Sequence, residues 1–110
     1  MCKNLFTLYQ YIKNKYDNYQ EIKYSETEII IVFYDELEMR ISEQKYFNLY
    51  FNNIFYYNVD WQDIKDTLDD FFSNKCVICL KKNRIKIFYL SDYKANNDFT
   101  HVWTISEKLK

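Results

Sequence analysis

The stretch from Tyr46 to Tyr57, with the sequence YFNLYFNNIFYY, constrains the fold more than any other part of the chain. Seven of its twelve residues are aromatic, three are asparagine and none is charged. Soluble monomers rarely expose a contiguous apolar patch of this size, so these rings must be buried on folding or covered by a partner. We therefore expect the stretch to lie at the centre of a folded domain.

The periodicity of this stretch is compatible with two structures. On a helical wheel one broad face carries Tyr46, Phe47, Tyr50, Phe51, Ile54 and Tyr57. Ser42 followed by Glu43 is an acceptable helix start. Asparagine, tyrosine and phenylalanine are mediocre helix formers, however, and Asn52-Asn53 suits a two-residue turn between strands. We interpret the stretch as two paired strands, residues 45–51 and 54–58, with a helix as the alternative.

Turns in this chain must form without glycine or proline, because neither residue occurs among its 110 amino acids. Backbone positions with positive φ then fall to asparagine and aspartate, which tolerate the left-handed region best after glycine. The length fits one domain, residues 1–110. Interspersed charged and apolar residues with a net charge of −1 are typical of a folded chain.

Two amphipathic helices are predicted. Residues 3–19 carry leucine, isoleucine and tyrosine at spacings of three and four, which indicates a helix with one apolar face. Residues 60–74 begin with Asp60, a good N-cap, and again combine an apolar stripe with a polar face. The polar face of this second helix is acidic along its length and carries Asp63, Asp66, Asp69 and Asp70.

Runs of β-branched and aromatic residues predict the strands. Residues 28–34 are interpreted as a central strand that is buried on both faces and connected through a turn at Asp35-Glu36 to an alternating strand, residues 37–42. A weaker strand is predicted at residues 21–24. The remaining predictions are a hairpin over residues 76–90 that turns at Lys82-Asn83, a strand over 99–105, and a polar tail from residue 106 that frays.

These elements together predict an α+β fold. The simplest arrangement that buries both helical stripes is an antiparallel sheet of about six or seven strands with the two helices packed on one face. The expected order is α-β-β-β-β-α-β-β-β.

Localisation is predicted from two absences and an odd cysteine count. No apolar run approaches the 18 or so residues of a membrane-spanning helix, and the N-terminus lacks the features of a signal peptide. Cys2, Cys76 and Cys79 cannot all pair, which indicates free thiols in a reducing compartment. We therefore predict a cytoplasmic protein with no membrane partner.

Motifs for chemistry are scarce. Phosphate-binding loops of the P-loop or dinucleotide type need glycine, which is absent. Cys76 and Cys79 have the spacing of half a zinc site, but residues three apart on a strand point to opposite faces. His101, the only histidine, has no acidic partner or nucleophile implied by its position. We predict no enzymatic activity, no catalytic residues, no cofactor and no metal site.

Charge is distributed unevenly, since residues 21–43 carry a net charge of −5 and residues 76–110 carry +4. The acidic side chains and neighbouring tyrosines predict a surface for a protein partner. Its predicted members are Asp63, Asp66, Asp70, Glu36, Glu38, Tyr46, Tyr50, Tyr56 and Tyr57. The basic hairpin predicts nucleic-acid contacts at Lys81, Lys82, Arg84 and Lys86, with Phe88, Tyr89 and Tyr93 near enough for base stacking. An ordinary solvated face is the alternative for both.

A compact, cofactor-free chain whose composition points to an AT-rich genome is typical of inhibitors that phages and mobile elements encode, including anti-CRISPR proteins. Our first hypothesis is a non-enzymatic binding protein that occludes a macromolecular partner, such as a host-defence or nucleic-acid enzyme. The alternatives are an immunity protein that neutralises a toxin and a nucleic-acid-binding module that uses residues 81–86. A homodimer formed through the aromatic-rich sheet is also compatible with the sequence.

Overall fold

In a computed structural model that describes residues 3–34 and 36–110, the chain forms two helices and eight strands. The elements in chain order are α1 (Lys3–Lys15), β1 (Glu21–Tyr24), β2 (Glu28–Tyr34), β3 (Leu37–Glu43), β4 (Phe47–Phe51), β5 (Ile54–Val59), α2 (Trp61–Phe72), β6 (Cys76–Lys81), β7 (Arg84–Tyr89) and β8 (His101–Trp103). Within these described residues, neither helix is long and apolar enough to cross a membrane.

The strands form two antiparallel sheets. The first has five strands in chain order from β1 to β5, and the second has the order β7-β6-β8. The predicted α+β class with antiparallel pairing is therefore confirmed. The eight strands are divided between two sheets rather than joined in one. All five strands predicted before α2 are present, one more than the expected order of elements counted. Sequence spacing predicts the hairpins correctly, but it does not specify whether strands on either side of a helix will pair.

Both helices pack on one face of the five-stranded sheet, as predicted. Every second residue of β2, β3 and β4 points toward them and is buried. Representative members of this main core are Leu5, Leu8, Ile12, Ile29, Ile31, Met39, Ile41, Leu49, Phe51, Ile64 and Leu68. The helices also contact each other, since Lys15 Nζ lies 3.0 Å from the Asp69 carboxylate and the Tyr11 hydroxyl donates to it at 3.3 Å.

The prediction that β2 is buried on both faces was wrong. Its residues alternate between buried and half-buried, since neither described helix covers the second face of the five-stranded sheet. Strand β6 instead has buried residues on both of its faces. Cys76 and Ile78 face the main core, whereas Val77 and Cys79 belong to a second cluster that also contains Phe99.

The interpretation of the aromatic stretch as two strands is confirmed by β4 and β5. Asn52 and Asn53 form the turn between them, with φ angles of 50° and 66° in the left-handed region. A strand allows Phe47, Leu49 and Phe51 to enter the core from one face, because alternate side chains of a strand point the same way. In a helix Phe47 and Phe51 would share one face, but Leu49 would point to the opposite side.

Helix α1 ends at Lys15 rather than at residue 19. The Asn18 side-chain amide donates a hydrogen bond of 2.7 Å to the Phe72 carbonyl at the end of α2, which holds the following segment against that helix. Tyr16 still contributes to packing, because its ring stacks on Phe72 with centroids 4.0 Å apart. The spacing of apolar residues therefore predicts correctly that Tyr16 is packed against the core, but it overestimates the length of the helix.

The C-terminal predictions require two corrections. The last strand covers only His101–Trp103, with Phe99 in the second cluster instead of on the Trp103 face. The tail is not frayed, since the Leu109 N–H donates to the Val102 carbonyl at 2.7 Å and Lys108 lies 3.0 Å from Glu36. The predicted turn at 35–36 includes Asp35, which lies outside the described residues.

Candidate functional site

A groove of about 430 Å³ runs along the exposed side of α2, beside the start of β4 and the end of β5. We call it the acidic groove. Its lining residues are Tyr46, Asn58, Val59, Asp60, Asp63, Asp66, Thr67 and Asp70. The groove thus brings together four residues of the predicted partner-binding set, one from the aromatic stretch and three from α2.

The aspartates converge because of their spacing on α2. Asp63, Asp66 and Asp70 are separated by three and four residues, which places them on one face of an α-helix. The opposite face is fixed in the core by buried residues that include Ile64 and Leu68. Burial of that apolar stripe therefore forces the aspartates outward.

Asp60 joins this face as the N-cap of α2. Its side chain accepts a hydrogen bond of 3.1 Å from the backbone N–H of Asp63. This cap was predicted, but the place of Asp60 in the groove was not. Its spacing of three residues from Asp63 was the available sequence signal.

Negative charge in the groove is poorly compensated. Asp70 accepts a hydrogen bond of 3.2 Å from the Tyr89 hydroxyl. Among residues 3–34 and 36–110, no lysine, arginine or histidine forms an ion pair with Asp60, Asp63, Asp66 or Asp70. Like charges three or four residues apart on a helix destabilise it by about 0.2–0.5 kcal/mol per pair. The row formed by Asp63, Asp66 and Asp70, which we call the acidic row, therefore lowers the stability of the helix.

Tyr46 supplies the exposed aromatic ring of the groove. Its side chain is 43% exposed, and Lys45 Nζ lies 5.7 Å from the ring centroid. Tyrosine is enriched at protein interfaces because its ring offers apolar area and its hydroxyl remains able to form hydrogen bonds. The groove therefore combines carboxylates with one accessible aromatic side chain.

Two predicted acidic residues lie elsewhere. Glu36 and Glu38 line a separate, smaller concavity at the start of β3. Glu36 pairs with Lys108, and Glu38 lies 3.5 Å from Arg40. They are not part of the acidic groove, because hairpin β2–β3 and helix α2 contribute to different parts of the surface.

The remaining predicted tyrosines are also dispersed. Tyr56 packs against Phe51, with ring centroids 6.0 Å apart. Tyr50 lies on the uncovered face of the five-stranded sheet, where its ring contacts Phe55 at 5.6 Å. Phe55 is 49% exposed and was not predicted as a surface residue. The side chain of Tyr57 lies outside the part of the structure that is described.

The four cations of the β6–β7 hairpin lie together, as its sequence suggests, and line a concavity of about 540 Å³ with Asn83. The predicted stacking residues differ in exposure, and Tyr89 is 52% exposed. Phe88 packs against Phe99 at 5.9 Å and Tyr93 at 6.4 Å, while the Tyr89 hydroxyl is hydrogen-bonded to Asp70. Base stacking at this hairpin stays a prediction.

The two described cysteines are on opposite faces of β6, as their spacing predicted. Burial raises the pKa of the Cys76 thiol to about 11, with a smaller contribution from the nearby Asp70 carboxylate. Burial also raises the pKa of Cys79 to about 11. Both thiols therefore remain protonated near neutral pH, which disfavours nucleophilic or metal-binding roles.

This thiol chemistry can be tested by alkylation. In a Cys2→Ser variant at pH 8, we expect Cys76 and Cys79 to react with iodoacetamide at least tenfold more slowly than in guanidinium chloride, because the thiolate is the reactive form. Mass spectrometry of the quenched reaction measures the modified fraction. Alkylation of either thiol in the native protein at the rate seen after unfolding would contradict the prediction.

His101 is half-buried, and its ring stacks on Trp103 with centroids 5.5 Å apart. Its Nδ1 lies 3.2 Å from the Thr100 hydroxyl. Within the described ranges, no group of three or more histidine, cysteine, aspartate or glutamate side chains is arranged to hold a metal ion.

No protein-family model matches the chain, and no significant match was found among curated proteins or solved structures.

Proposed function

We propose that the protein is a non-enzymatic binding protein whose acidic groove docks on a basic surface of a macromolecular partner and occludes it. The observation that supports this proposal is the convergence of four aspartates and Tyr46, without ion-pair partners for these aspartates among the described residues. A partner that supplies lysine or arginine side chains would neutralise this charge and give the interaction its specificity.

The arrangement of the carboxylates suits a partner that normally binds nucleic acid. Asp63, Asp66 and Asp70 extend along about 10 Å of helix axis, at 1.5 Å per residue. A row of negative charges on this scale competes with phosphates for a basic groove. The proposed role is inhibition of a nucleic-acid enzyme or host-defence protein, as phage and mobile-element inhibitors do. An immunity protein would use the same groove against a toxin.

Affinity capture from the source cell tests this role with three baits. The wild-type protein and a D17N/D92N control are expected to retain the same partner, whereas D63N/D66N is expected to lose at least nine-tenths of it. The control removes two exposed aspartates that do not line the groove. Quantitative mass spectrometry at low and moderate salt measures the difference.

Inhibition is then tested with the purified partner. Wild-type protein should inhibit the partner's nucleic-acid binding or activity, with weaker inhibition at higher salt, because exposed charge pairs are screened. Equal retention by the wild-type and D63N/D66N baits would refute the use of the acidic groove. Catalytic turnover of a substrate by the protein alone would refute the non-enzymatic assignment.

The cost of the acidic row gives a separate prediction. Asp66 has aspartates three residues before it and three and four residues after it on α2. Asp66→Asn removes these repulsions and should raise the free energy of unfolding by roughly 0.5–1 kcal/mol. Urea denaturation measures the change, with Asp17→Asn as the control. If Asp66→Asn lowers the free energy of unfolding, the Asp66 carboxylate stabilises the fold and the prediction is wrong.

A further inference from the structure

The exposed end of the β6–β7 hairpin is the second strongly charged surface of the molecule. Lys81 and Arg84 are directly opposite each other in the ladder, and Lys86 lies two residues further along β7 on the same face. Lys82 occupies the turn. In the described part of the chain, only Lys81 of these four has an ion-pair partner, with its Nζ 3.4 Å from Asp98.

The local structure does not favour this concentration of charge. Like charges directly opposite each other destabilise an antiparallel pair. Lys82 also adopts φ 55°, in the left-handed region that is unfavourable for a residue with a long side chain. Among the residues that the structure describes, the other positive-φ positions are all asparagine: Asn52, Asn53 and Asn74. Departures from local preference of this kind are expected at functional surfaces.

The distribution of the cations indicates a polyanion rather than a single anion. Arg84 and Lys86 are about 7 Å apart along one face of β7, at 3.3–3.4 Å per residue. With Lys81 beside them and Lys82 at the turn, the charges form a row along the hairpin. Such a row matches the repeated charges of a phosphodiester backbone, which contribute most of the affinity in sequence-independent nucleic-acid binding.

The surroundings of the hairpin favour a duplex over a single strand. Binding of single strands depends on aromatic platforms for the bases. Phe88 and Tyr93 are packed against other rings. The ring of Tyr89 is exposed, but it belongs to a residue about 17 Å from Arg84 along β7. A two-stranded β-ribbon fits the major groove of B-form DNA, which is about 12 Å wide, whereas the major groove of A-form RNA is narrow. The phosphates of duplex DNA are therefore the best match.

The acidic groove does not cancel this attraction. Tyr89, which contacts Asp70 of the groove, is five residues from Arg84, or about 17 Å along β7. This separation exceeds the Debye length of about 8 Å at physiological ionic strength. We propose that the β6–β7 hairpin binds the phosphate backbone of duplex DNA without sequence preference. This site is independent of the proposed function of the acidic groove.

Fluorescence anisotropy with a labelled 20-base-pair DNA duplex tests the proposal. Between 25 and 200 mM NaCl, the logarithm of the association constant should fall linearly with the logarithm of salt concentration. The slope should approach about −3.6 if all four cations contact phosphates, at 0.9 per contact. K82E/R84E should weaken binding at least tenfold and reduce the slope to about half.

A charge-matched control separates this site from a general effect of net charge. K13E/K23E makes the same charge change on α1 and on β1, an edge strand of the five-stranded sheet to which β7 does not belong, and should alter affinity by less than threefold. Lys82→Asn guards against misfolding, since asparagine tolerates positive φ. This variant should raise the urea midpoint while lowering the salt slope by about 0.9.

Four competitors distinguish the sources of phosphate. Unlabelled DNA duplex should displace the probe at lower nucleotide concentration than a 20-nucleotide single strand or an RNA duplex, and millimolar inorganic phosphate should displace little. The proposal is overturned if the wild-type protein does not bind duplex at 25 mM NaCl, if K82E/R84E binds like wild type, or if the control loses as much affinity. Displacement by inorganic phosphate alone would indicate a single-anion site and would also reject it.

Discussion

Phe51→Ala should destabilise the protein by about 3–5 kcal/mol, as large-to-small substitutions of buried aromatic residues generally do. The Phe51 side chain is fully buried, and its ring lies 5.2 Å from that of Phe71. Truncation leaves a cavity where β4 packs against α2, and the surrounding rings can fill it only in part. Folded domains typically have only 5–15 kcal/mol of stability, so urea denaturation should show a large decrease in the midpoint.

Phe55→Ala is the matched control within the same stretch. Phe55 is 49% exposed on the uncovered face of the five-stranded sheet, with one aromatic contact to Tyr50. Its truncation should cost about 1 kcal/mol or less, because little apolar area and one ring pair are lost. Similar losses for the two variants would contradict the assignment of these residues to opposite faces.

The difference between these two phenylalanines shows how far the sequence specifies the fold. The Asn52-Asn53 turn fixes two strands, and alternation from that turn then predicts which rings are buried. The sequence does not reveal that β5 lies beside β7 without joining its sheet. Pairing across α2 depends on how the helix packs, and that packing involves contacts between residues distant in the chain.

The candidate site also has a part that the sequence predicts and a part that it does not. Asp63, Asp66 and Asp70 could be grouped from sequence because a single helix determines their relative positions. Tyr46 was included in the predicted surface, but its position beside these aspartates, like that of Asn58, depends on how β4 and β5 lie beside α2. The same limitation applies to Phe88 in the basic hairpin. Alternation along β7 did not reveal that Tyr93 and Phe99, from the segment after β7, would pack against its ring.

Asn52→Ala is expected to have the second largest effect, a loss of about 2–4 kcal/mol in the free energy of unfolding. The Asn52 side-chain oxygen accepts a hydrogen bond of 2.8 Å from the Glu38 N–H, and its amide donates to the Glu36 carbonyl at 2.8 Å. The same residue adopts φ 50° at the turn between β4 and β5. Alanine would lose both hydrogen bonds and add the left-handed penalty.

Two glycine variants separate these contributions. Asn52→Gly removes the hydrogen bonds but adopts positive φ freely, so it should cost less than Asn52→Ala by about 1–2 kcal/mol. Asn53→Gly lies at the adjacent position, with φ 66° and an exposed side chain, and should remain within about 0.5 kcal/mol of wild type. If Asn52→Gly were as stable as wild type, the hydrogen bonds to β3 would contribute nothing measurable. If Asn52→Gly is less stable than wild type, Asn52 has two roles in this glycine-free chain. It forms the turn, and its side chain attaches the β4–β5 hairpin to β3.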